Sequence, residues 1–289
     1  MIIIDYSQVS VAGILAFSAD LKKGSESEKK NLIRHVVLSS IKSYKKKYGK
    51  THGEVVIACD SRNYWRKDFF PNYKGLRKKA REASDMDWTF IFETLNELKQ
   101  DLVENFQYRV INVDKCEADD VIAVLTINTQ EFGQYEDVMI ISSDKDFKQL
   151  QQYDNVSQFS PMLKKQIKVT KKEVHAWMME HVVKGDAGDG IPNILSGDNV
   201  FMDGERQKPV SSKRLQEFID NGFIACKNDE ERRNYHRNST LVDFKFIPDS
   251  IRNAILEAYE VKPKGSKQAI MNYLIKNRCR ILLEEIEEF

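Results

Sequence analysis

Across its 289 residues the chain carries 45 lysines and arginines against 44 aspartates and glutamates, so its formal net charge is only +1. Hydrophobic residues make up 41% of it, which is enough to bury a core and excludes disorder along the whole length. No apolar run is long enough to cross a membrane and no secretory leader is recognisable, so neither a membrane nor a secreted protein is expected. The near-zero charge alone gives no reason to expect nucleic acid as a partner.

Short apolar runs that end in an acid predict the strands of a sheet. In chain order they are residues 2–4, 55–59, 110–113 and 138–141, and the acids that follow them include Asp5, Asp60 and Asp144. Helical patterns lie between these runs at residues 29–47, 88–106 and 119–130. This alternation predicts an α/β core over residues 1–170, with parallel strands covered by helices on both faces. Because ligands of such sheets bind beyond the carboxyl ends of the strands, the three acids are expected in one site.

A helical region is predicted after residue 170, where strand patterns fade. Its helical patterns lie at residues 171–183, 212–221, 229–241, 250–259 and 266–277. Glycine and proline gather in residues 185–204, which predicts a loop between two of these helices. Residues 171–289 are therefore expected to form a second region packed on the sheet.

Cysteine and histidine predict no site of their own. The four cysteines are far apart and form no CxxC pair, so they indicate reduced thiols in a cytosolic protein rather than disulfides or a zinc site. The histidines are scattered, and His175 and His181 lack the i,i+4 spacing of metal ligands on one helix. Both are expected to be solvated helix residues.

The strongest pattern is a series of acids at strand ends and helix starts. Carboxylates without paired histidine or cysteine select hard cations such as Mg²⁺ or Mn²⁺. Two such ions ~3.5–4 Å apart can activate water for phosphodiester hydrolysis. Solvation or helix capping is the alternative for any single acid, but the repetition favours a metal site. The acids of the series are Asp5, Asp60, Glu117, Asp119, Asp120, Asp144, Asp146, Asp186 and Asp189.

These acids lie in motifs that resemble, in the same order, the acidic motifs of the flap endonuclease and 5′-exonuclease superfamily. The motifs are residues 3–5, 58–60, 117–120, 142–146 and 185–189. Residues 64–69 and 158–162 are in addition similar to the ribonuclease H enzymes of T-even phages. The resemblance runs over nearly the whole chain. It implies a PIN-like α/β fold with a mainly parallel central sheet flanked by helices, and a helical DNA-binding region with a modified helix–turn–helix.

The resemblance also implies how the acids divide between two Mg²⁺ ions, for which Mn²⁺ would substitute. A first ion would be held, directly or through water, by Asp5, Asp60, Glu117 and Asp119. A second would be held by Asp144, Asp146 and Asp189, with Asp120 and Asp186 in support. Asp119 and Asp120 both remain candidates for a carboxylate shared by the two ions.

Residues 62–81 hold eight basic side chains and the single acid Asp68, interleaved with aromatic residues. Basic groups meet phosphates and aromatic faces stack on bases, so the composition suits single-stranded nucleic acid. A solvated helix whose aromatics enter the core is the alternative. The resemblance implies an arch at about residues 62–90, with Lys74 and Arg77 on the scissile phosphate and Tyr73 on a terminal base. Further candidate contacts to nucleic acid are Arg66, Lys67, Lys78, Lys79 and Arg81.

Other charged stretches are interpreted separately. Lysines at residues 42–47 are expected to complement the dipole at a helix end, and those at residues 164–172 to contact duplex phosphates. The loop after Asp189 departs from the superfamily pattern: Gly190 replaces a common asparagine and residues 197–209 are inserted. Duplex binding is expected to survive there, whereas a K⁺ ion is not expected. Residues 284–289 are either a solvated helix end or a docking tail for a replication partner.

The sequence therefore predicts a metal-dependent 5′ to 3′ nuclease of phage replication, monomeric and acting in the cytoplasm of an infected bacterium. It would remove RNA primers by ribonuclease H activity together with adjoining DNA, and cut flapped or nicked duplexes. The superfamily also implies a single-strand DNA-binding protein and a sliding clamp as partners. One alternative is a catalytically silent, structure-specific DNA-binding protein on the same scaffold. Another is a phosphatase with Asp5 as nucleophile, although Ser7 stands where a second acid would be wanted.

Overall fold

The apolar runs of the sequence form a central six-stranded sheet. The structure, a computed structural model, describes residues 1–131 and 135–289, and all of their side chains except those of residues 78–80. The strands are β1 (Ile2–Asp5), β2 (Val55–Ala58), β3 (Arg109–Ile111), β4 (Val138–Ile141), β5 (Val156–Ser160) and β6 (Lys165–Ile167). The order is β3-β2-β1-β4-β5-β6, and only the β5–β6 pair is antiparallel.

The chain begins in the middle of this sheet, and that decides where the carboxyl ends of the strands meet. β1 pairs with β2 on one side, where Asp5 lies opposite Ala58, and with β4 on the other, where Ile4 lies opposite Ile141. The chain first builds outward through β2 and β3 and then returns to add β4 and β5 on the opposite side. Such a reversal of strand order opens a crevice at the carboxyl ends, which is where open α/β sheets bind ligands.

Helices cover both faces of the sheet. They are α1 (Tyr6–Leu15), α2 (Ser18–Leu21), α3 (Glu26–His52), α4 (Trp65–Phe69), α5 (Arg77–Glu82), α6 (Trp88–Asn105), α7 (Ala118–Glu131), α8 (Lys171–Lys184), α9 (Ser212–Asn221), α10 (Asp229–Val242), α11 (Asp249–Glu260), α12 (Lys267–Lys276) and α13 (Arg280–Glu284). Short 3₁₀ helices lie at Lys145–Gln152, Gly222–Ala225, Phe244–Phe246 and Ile286–Glu288. In the part of the chain that the structure describes, no helix is long and apolar enough to span a membrane.

Alternation of side chains along β1 divides the core in two. Ile2 and Ile4 pack toward α3, α6 and the C-terminal helices, whereas Ile3 packs toward α7 and α11. Successive residues of a strand point to opposite faces, so one run of isoleucines serves both layers. The predicted α/β class with a mainly parallel sheet and a helical C-terminal region is thus confirmed.

Two predicted boundaries were wrong. The third strand ends at Ile111 rather than at residue 113, and Asp114 lies exposed beyond it. Helix α3 begins at a capping box formed by Ser25 and Glu28 and continues to His52, well past residue 47. The lysines at residues 42–47 therefore lie inside the helix, not at its end. Periodicity alone missed the last turns because they are polar.

The acidic C-terminal segment packs against those lysines. Lys42 pairs with Glu285, and the Nζ of Lys46 lies 2.7 Å from Oε1 of Glu288. Phe289 is buried and its ring meets that of Phe106 edge-on, with centroids 5.5 Å apart. The segment is therefore docked at Phe289, while Glu284, Glu285 and Glu287 remain exposed as expected for a solvated helix end. Charge complementarity with α3 and one aromatic anchor hold it in place.

We expect Phe289→Ala to lower the free energy of unfolding by about 3 kcal/mol, because truncating a buried phenylalanine loses its burial and leaves a cavity. Ile281→Ala is the matched control, since Ile281 lies eight residues earlier and is 62% exposed. Urea titration followed by circular dichroism measures both. Equal, small losses for the two variants would contradict the anchoring role of Phe289.

Candidate metal centre

Two carboxylates at the ends of β1 and β2 are held in the crevice by hydrogen bonds. Asp5 is the last residue of β1 and the N-cap of α1, so its Oδ1 accepts a hydrogen bond from the Gln8 amide at 3.0 Å. Its Oδ2 accepts from the Ser142 hydroxyl at 2.9 Å. Asp60, beyond β2, accepts through Oδ1 from the Ala118 amide at 3.0 Å. The ends of β1, β2 and β4 and the start of α7 are thereby tied together.

These carboxylates lie close enough to perturb one another. Burial, with repulsion from Asp60 and Asp144, raises the pKa of Asp5 to about 7. Burial and the neighbouring Asp146 raise the pKa of Asp144 to about 6. Burial and Asp144 raise the pKa of Asp119 well above its usual value. Buried acids that destabilise one another's charge are relieved by a divalent cation, so this donor set fits a hard metal ion.

A second group lies beside the first and includes a histidine. His181, in the last turn of α8, places its Nε2 3.2 Å from Oδ1 of Asp146 and 3.7 Å from Oδ2 of Asp186. These ligand atoms all lie within 4.8 Å of one another. His181 is 6% exposed, so the prediction that it is solvated was wrong. Its five-residue separation from Asp186 matches no metal-ligand spacing, so no sequence signal could have found it.

Three basic side chains reach into the acidic crevice. The Nζ of Lys74 lies 2.5 Å from Oε1 of Glu117, Arg77 pairs with Asp189, and the Nζ of Lys145 lies 2.8 Å from Oδ2 of Asp186. Burial alone would raise the pKa of Glu117, but Lys74 and Arg66 outweigh it and hold that pKa below its usual value. These three basic side chains therefore neutralise part of the negative charge in the crevice.

Arg66 is buried and forms ion pairs with two carboxylates of the site. Its guanidinium lies 2.8 Å from Oε2 of Glu117 and 2.8 Å from Oδ1 of Asp120, and its Nε donates to the Leu241 carbonyl at 3.0 Å. It is only 2% exposed, which contradicts its predicted contact with nucleic acid. The other oxygen of Asp120 accepts from Trp65 Nε1 at 3.1 Å. Asp120 is therefore held in a supporting position.

Tyr73 also lies inside the protein. It is 3% exposed and packs with Phe70 and Ile191, while its hydroxyl lies 3.2 Å from Oε2 of Glu117. This burial contradicts the predicted stacking of Tyr73 on a terminal base. The alternative that aromatics of residues 62–81 enter the core holds for Trp65, Phe70 and Tyr73. The spacing of these aromatic residues within the basic segment did not predict that they are buried.

Of the remaining residues predicted to contact nucleic acid, those whose side chains the structure describes are exposed. Lys67 and Arg81 are exposed, and the Arg81 guanidinium lies 5.3 Å from the centre of the Phe92 ring. The side chains of Lys78 and Lys79 lie outside the described residues. A cleft of about 560 Å³ beside Asp144 is lined by cations, which are Lys145, Lys148, Lys165 and Lys168.

The loop after α8 explains why glycine replaces the usual asparagine at residue 190. Asp186 and Asp189 lie in a tight turn closed by a bridge between Asp186 and Ile191. Gly190 has φ of +72°, and a Cβ there would lie 2.9 Å from the Asn72 carbonyl oxygen. The Lys74 amide donates to the Asp189 carbonyl at 2.7 Å. The loop and the residues preceding α5 therefore pack backbone to backbone.

The inserted residues after this loop are anchored to α10. Asp198 pairs with Arg237, whose guanidinium also donates to the Pro192 carbonyl at 2.9 Å. Ser211 caps α9 by accepting a hydrogen bond from the Arg214 amide. The insertion thus leaves a helix–loop–helix of α8 and α9 intact.

Comparison with known proteins identifies the family. Residues 1–179 match the 5′-3′ exonuclease N-terminal resolvase-like domain, and residues 172–289 match the T4 RNase H C-terminal domain. Ribonuclease H of Enterobacteria phage T4 is 36% identical over 300 residues, which span 99% of this chain and 95% of that protein. The chain belongs to the 5′-3′ exonuclease family. It is a nuclease and hydrolyses phosphodiester bonds, as predicted.

Other relatives of this nuclease agree. The exonuclease of Escherichia phage T7 is 31% identical over 195 residues, which span 66% of this chain and 56% of that protein. A solved structure of the bacteriophage T5 flap endonuclease, in a pseudo-enzyme–product complex with DNA and metal ions, superposes with a TM-score of 0.61. That comparison covers 90% of this chain and 99% of the other at 20% identity, and it supports the fold.

Arg66→Met is expected to destabilise the nuclease by about 3–5 kcal/mol, because it leaves the buried carboxylates of Glu117 and Asp120 without their cation. Lys67→Met is the matched control, one residue along α4 and exposed. Chemical denaturation measures the difference between the two variants. If both unfold at the same urea concentration as the unaltered chain, the buried ion pair is not what braces these acids.

Proposed function

We propose that this nuclease is a divalent-metal-dependent 5′ to 3′ enzyme that removes RNA primers and adjoining DNA and also cuts flaps. Its expected setting is phage lagging-strand replication in an infected bacterial cytoplasm. The observation that carries the proposal is the acidic crevice at the sheet edge, where cations of the arch segment meet carboxylates of β1, β2, β4 and α7. A pure DNA-binding protein would gain nothing from concentrated negative charge beside a phosphate.

Two ions, Mg²⁺ with Mn²⁺ as a substitute, suit the donors of the crevice. The first would be held by Asp5, Asp60, Glu117 and Asp119, and the second by Asp144, Asp146, Asp186 and Asp189, with Asp120 behind them. Mutual repulsion among Asp5, Asp119 and Asp144 supports this assignment, because it is the cost that bound cations remove. When bound, the ions would supply activation of water and neutralisation of charge on the leaving oxygen.

Lys74 and Arg77 would exchange partners when substrate enters. Both now pair with carboxylates assigned to the metals, Glu117 and Asp189. With those carboxylates neutralised by bound ions, Lys74 and Arg77 would be free to turn toward the phosphate. A water oxygen then bonds to phosphorus in line as the bond to the 3′ oxygen breaks, and that oxygen takes a proton. Lys74 and Arg77 stabilise the charge that develops on the phosphate.

The proposed substrates are RNA–DNA hybrids and flapped or nicked duplexes. Support comes from the T4 relative, named a ribonuclease H, and from the T5 flap endonuclease structure that contains DNA. Exposed Lys67 and Arg81 would contact the displaced strand, and the lysines lining the cleft beside Asp144 would contact duplex phosphates. A monomer that works with a single-strand DNA-binding protein and a sliding clamp is the expected arrangement.

The double variant Asp144→Asn, Asp146→Asn is expected to lower cleavage of a 5′-labelled hybrid and of a flap by at least about 10³-fold, because charge stabilisation at the reacting phosphate is lost. EDTA should abolish cleavage by the unaltered enzyme, and added Mg²⁺ should restore it. Asp114→Asn is the control, an exposed strand-end acid outside the crevice. Cleavage that survives EDTA or the double variant would refute the metal-dependent mechanism.

Separate Lys74→Ala and Arg77→Ala variants are expected to lower kcat by about 10²–10³-fold with a smaller change in KM, since their cations act on charge that develops during reaction. Lys276→Ala, an exposed lysine of α12, controls for the loss of one positive charge. Single-turnover cleavage at saturating Mg²⁺ measures the chemical step. A change confined to KM would assign both residues to substrate binding alone.

A further inference from the structure

We propose that His181 is a direct nitrogen ligand of a metal ion held with Asp146 and Asp186, and that it shifts the preference of this position from Mg²⁺ toward Mn²⁺ and later transition-metal ions. This deepens the proposed function, because it concerns the second metal of the same crevice. The sequence series of acids predicts a purely oxygen-lined site. The structure instead brings an imidazole to it from the last turn of α8.

The donor atoms lie close enough together to share one coordination sphere after a small adjustment. Ligands ~2.1 Å from a metal at right angles to each other are about 3.0 Å apart. Nε2 of His181 lies 3.2 Å from Oδ1 of Asp146 and 3.7 Å from Oδ2 of Asp186. All three elements that supply these atoms, the 3₁₀ helix Lys145–Gln152, α8 and the turn after it, are fixed by packing. Little movement is needed for the three atoms to share an ion.

Burial of unsatisfied atoms is the second observation. Nε2 of His181 and Oδ1 of Asp146 are both buried, and neither has a hydrogen-bond partner among the described residues. Although they lie 3.2 Å apart, they do not meet in hydrogen-bond geometry. A buried polar atom without a partner costs about 1–3 kcal/mol. A cation bound between Nε2 of His181 and Oδ1 of Asp146 would satisfy both atoms.

The surroundings of His181 hold its ring and supply a temporary counter-charge. The ring stacks on that of Trp177, with centroids 5.0 Å apart and planes inclined by 24°. The Nζ of Lys145 lies 2.8 Å from the same Oδ2 of Asp186, and its side chain is 50% exposed. An exposed lysine can withdraw to solvent, so its ammonium occupies the outer side of the site until an ion replaces it.

A nitrogen donor changes which ion is preferred. Mg²⁺ is held mainly by carboxylate and water oxygens, whereas the affinity of a site with a nitrogen ligand rises from Mn²⁺ through the later transition metals. We therefore expect the ratio of Mn²⁺ affinity to Mg²⁺ affinity at this position to exceed that of an all-carboxylate site. Asp144 and the first group of acids retain the oxygen-only preference.

The deciding experiment is electron spin echo envelope modulation of Mn²⁺ added to the purified full-length chain. The unaltered chain and His175→Gln should show ¹⁴N coupling from a directly bound imidazole, and His181→Gln should lose it. His175 is the matched control because it lies on the same helix and is exposed. In parallel titrations, His181→Gln should raise the Kd for Mn²⁺ by at least about tenfold and the Kd for Mg²⁺ by less.

Each outcome decides the proposal. Mn²⁺ that binds without directly bound nitrogen would show that His181 only positions Asp146, and would overturn it. Failure of Mn²⁺ to bind, or an equal rise in both Kd values, would do the same. If His181→Gln does not fold, incorporation of ¹⁵N-histidine into the unaltered chain must change the modulation pattern. Cleavage of hybrids and flaps is scored separately, so a nitrogen signal without cleavage would reject the proposed function alone.

Discussion

Carboxylates gathered at one edge of a sheet repel one another, and the fold must hold them there against that repulsion. It does so by anchoring each acid to backbone that cannot move without breaking the sheet. Asp5 is locked between the Gln8 amide and the Ser142 hydroxyl, and Asp60 is held by the start of α7. Burial, together with repulsion from neighbouring acids, still raises the pKa values of Asp5 and Asp144. A cation held among these carboxylates would relieve both costs.

Two kinds of compensation operate around these acids. Arg66 is fully enclosed and pairs permanently with Glu117 and Asp120, so it belongs to the architecture of the site. Arg77 and Lys145 pair from the solvent side and remain about half exposed. A buried charge pair is costly to separate, whereas an exposed one is weak and exchanges readily. The inner layer therefore sets the geometry, and the outer layer can give way to ions and phosphate.

The sequence predicted the sheet, the order of its acids and the helical second region, because β-branched runs and strand-end acids are local patterns. It misassigned residues whose roles depend on what packs against them. Arg66 and Tyr73 lie in a basic, aromatic segment, and nothing local distinguishes a buried arginine from a solvated one. His181 lies beside Asp146 because of how α8 packs, and no local sequence pattern predicts that contact. The docking of Phe289 on Phe106 joins positions far apart in the chain.

The topology of the sheet has a consequence for how the protein is made. β1 is synthesised first, yet it is the central strand and pairs with β4 through Ile2 and Met139. Contacts that close such long loops form late in folding. Closing the loop costs conformational entropy before the contact contributes any stabilisation. The Asp5 carboxylate has no Ser142 hydroxyl, and no Asp144 beside it, until that stretch has left the ribosome. A growing chain therefore has no assembled crevice, and cannot cleave, until β4 and the residues that follow it have been made.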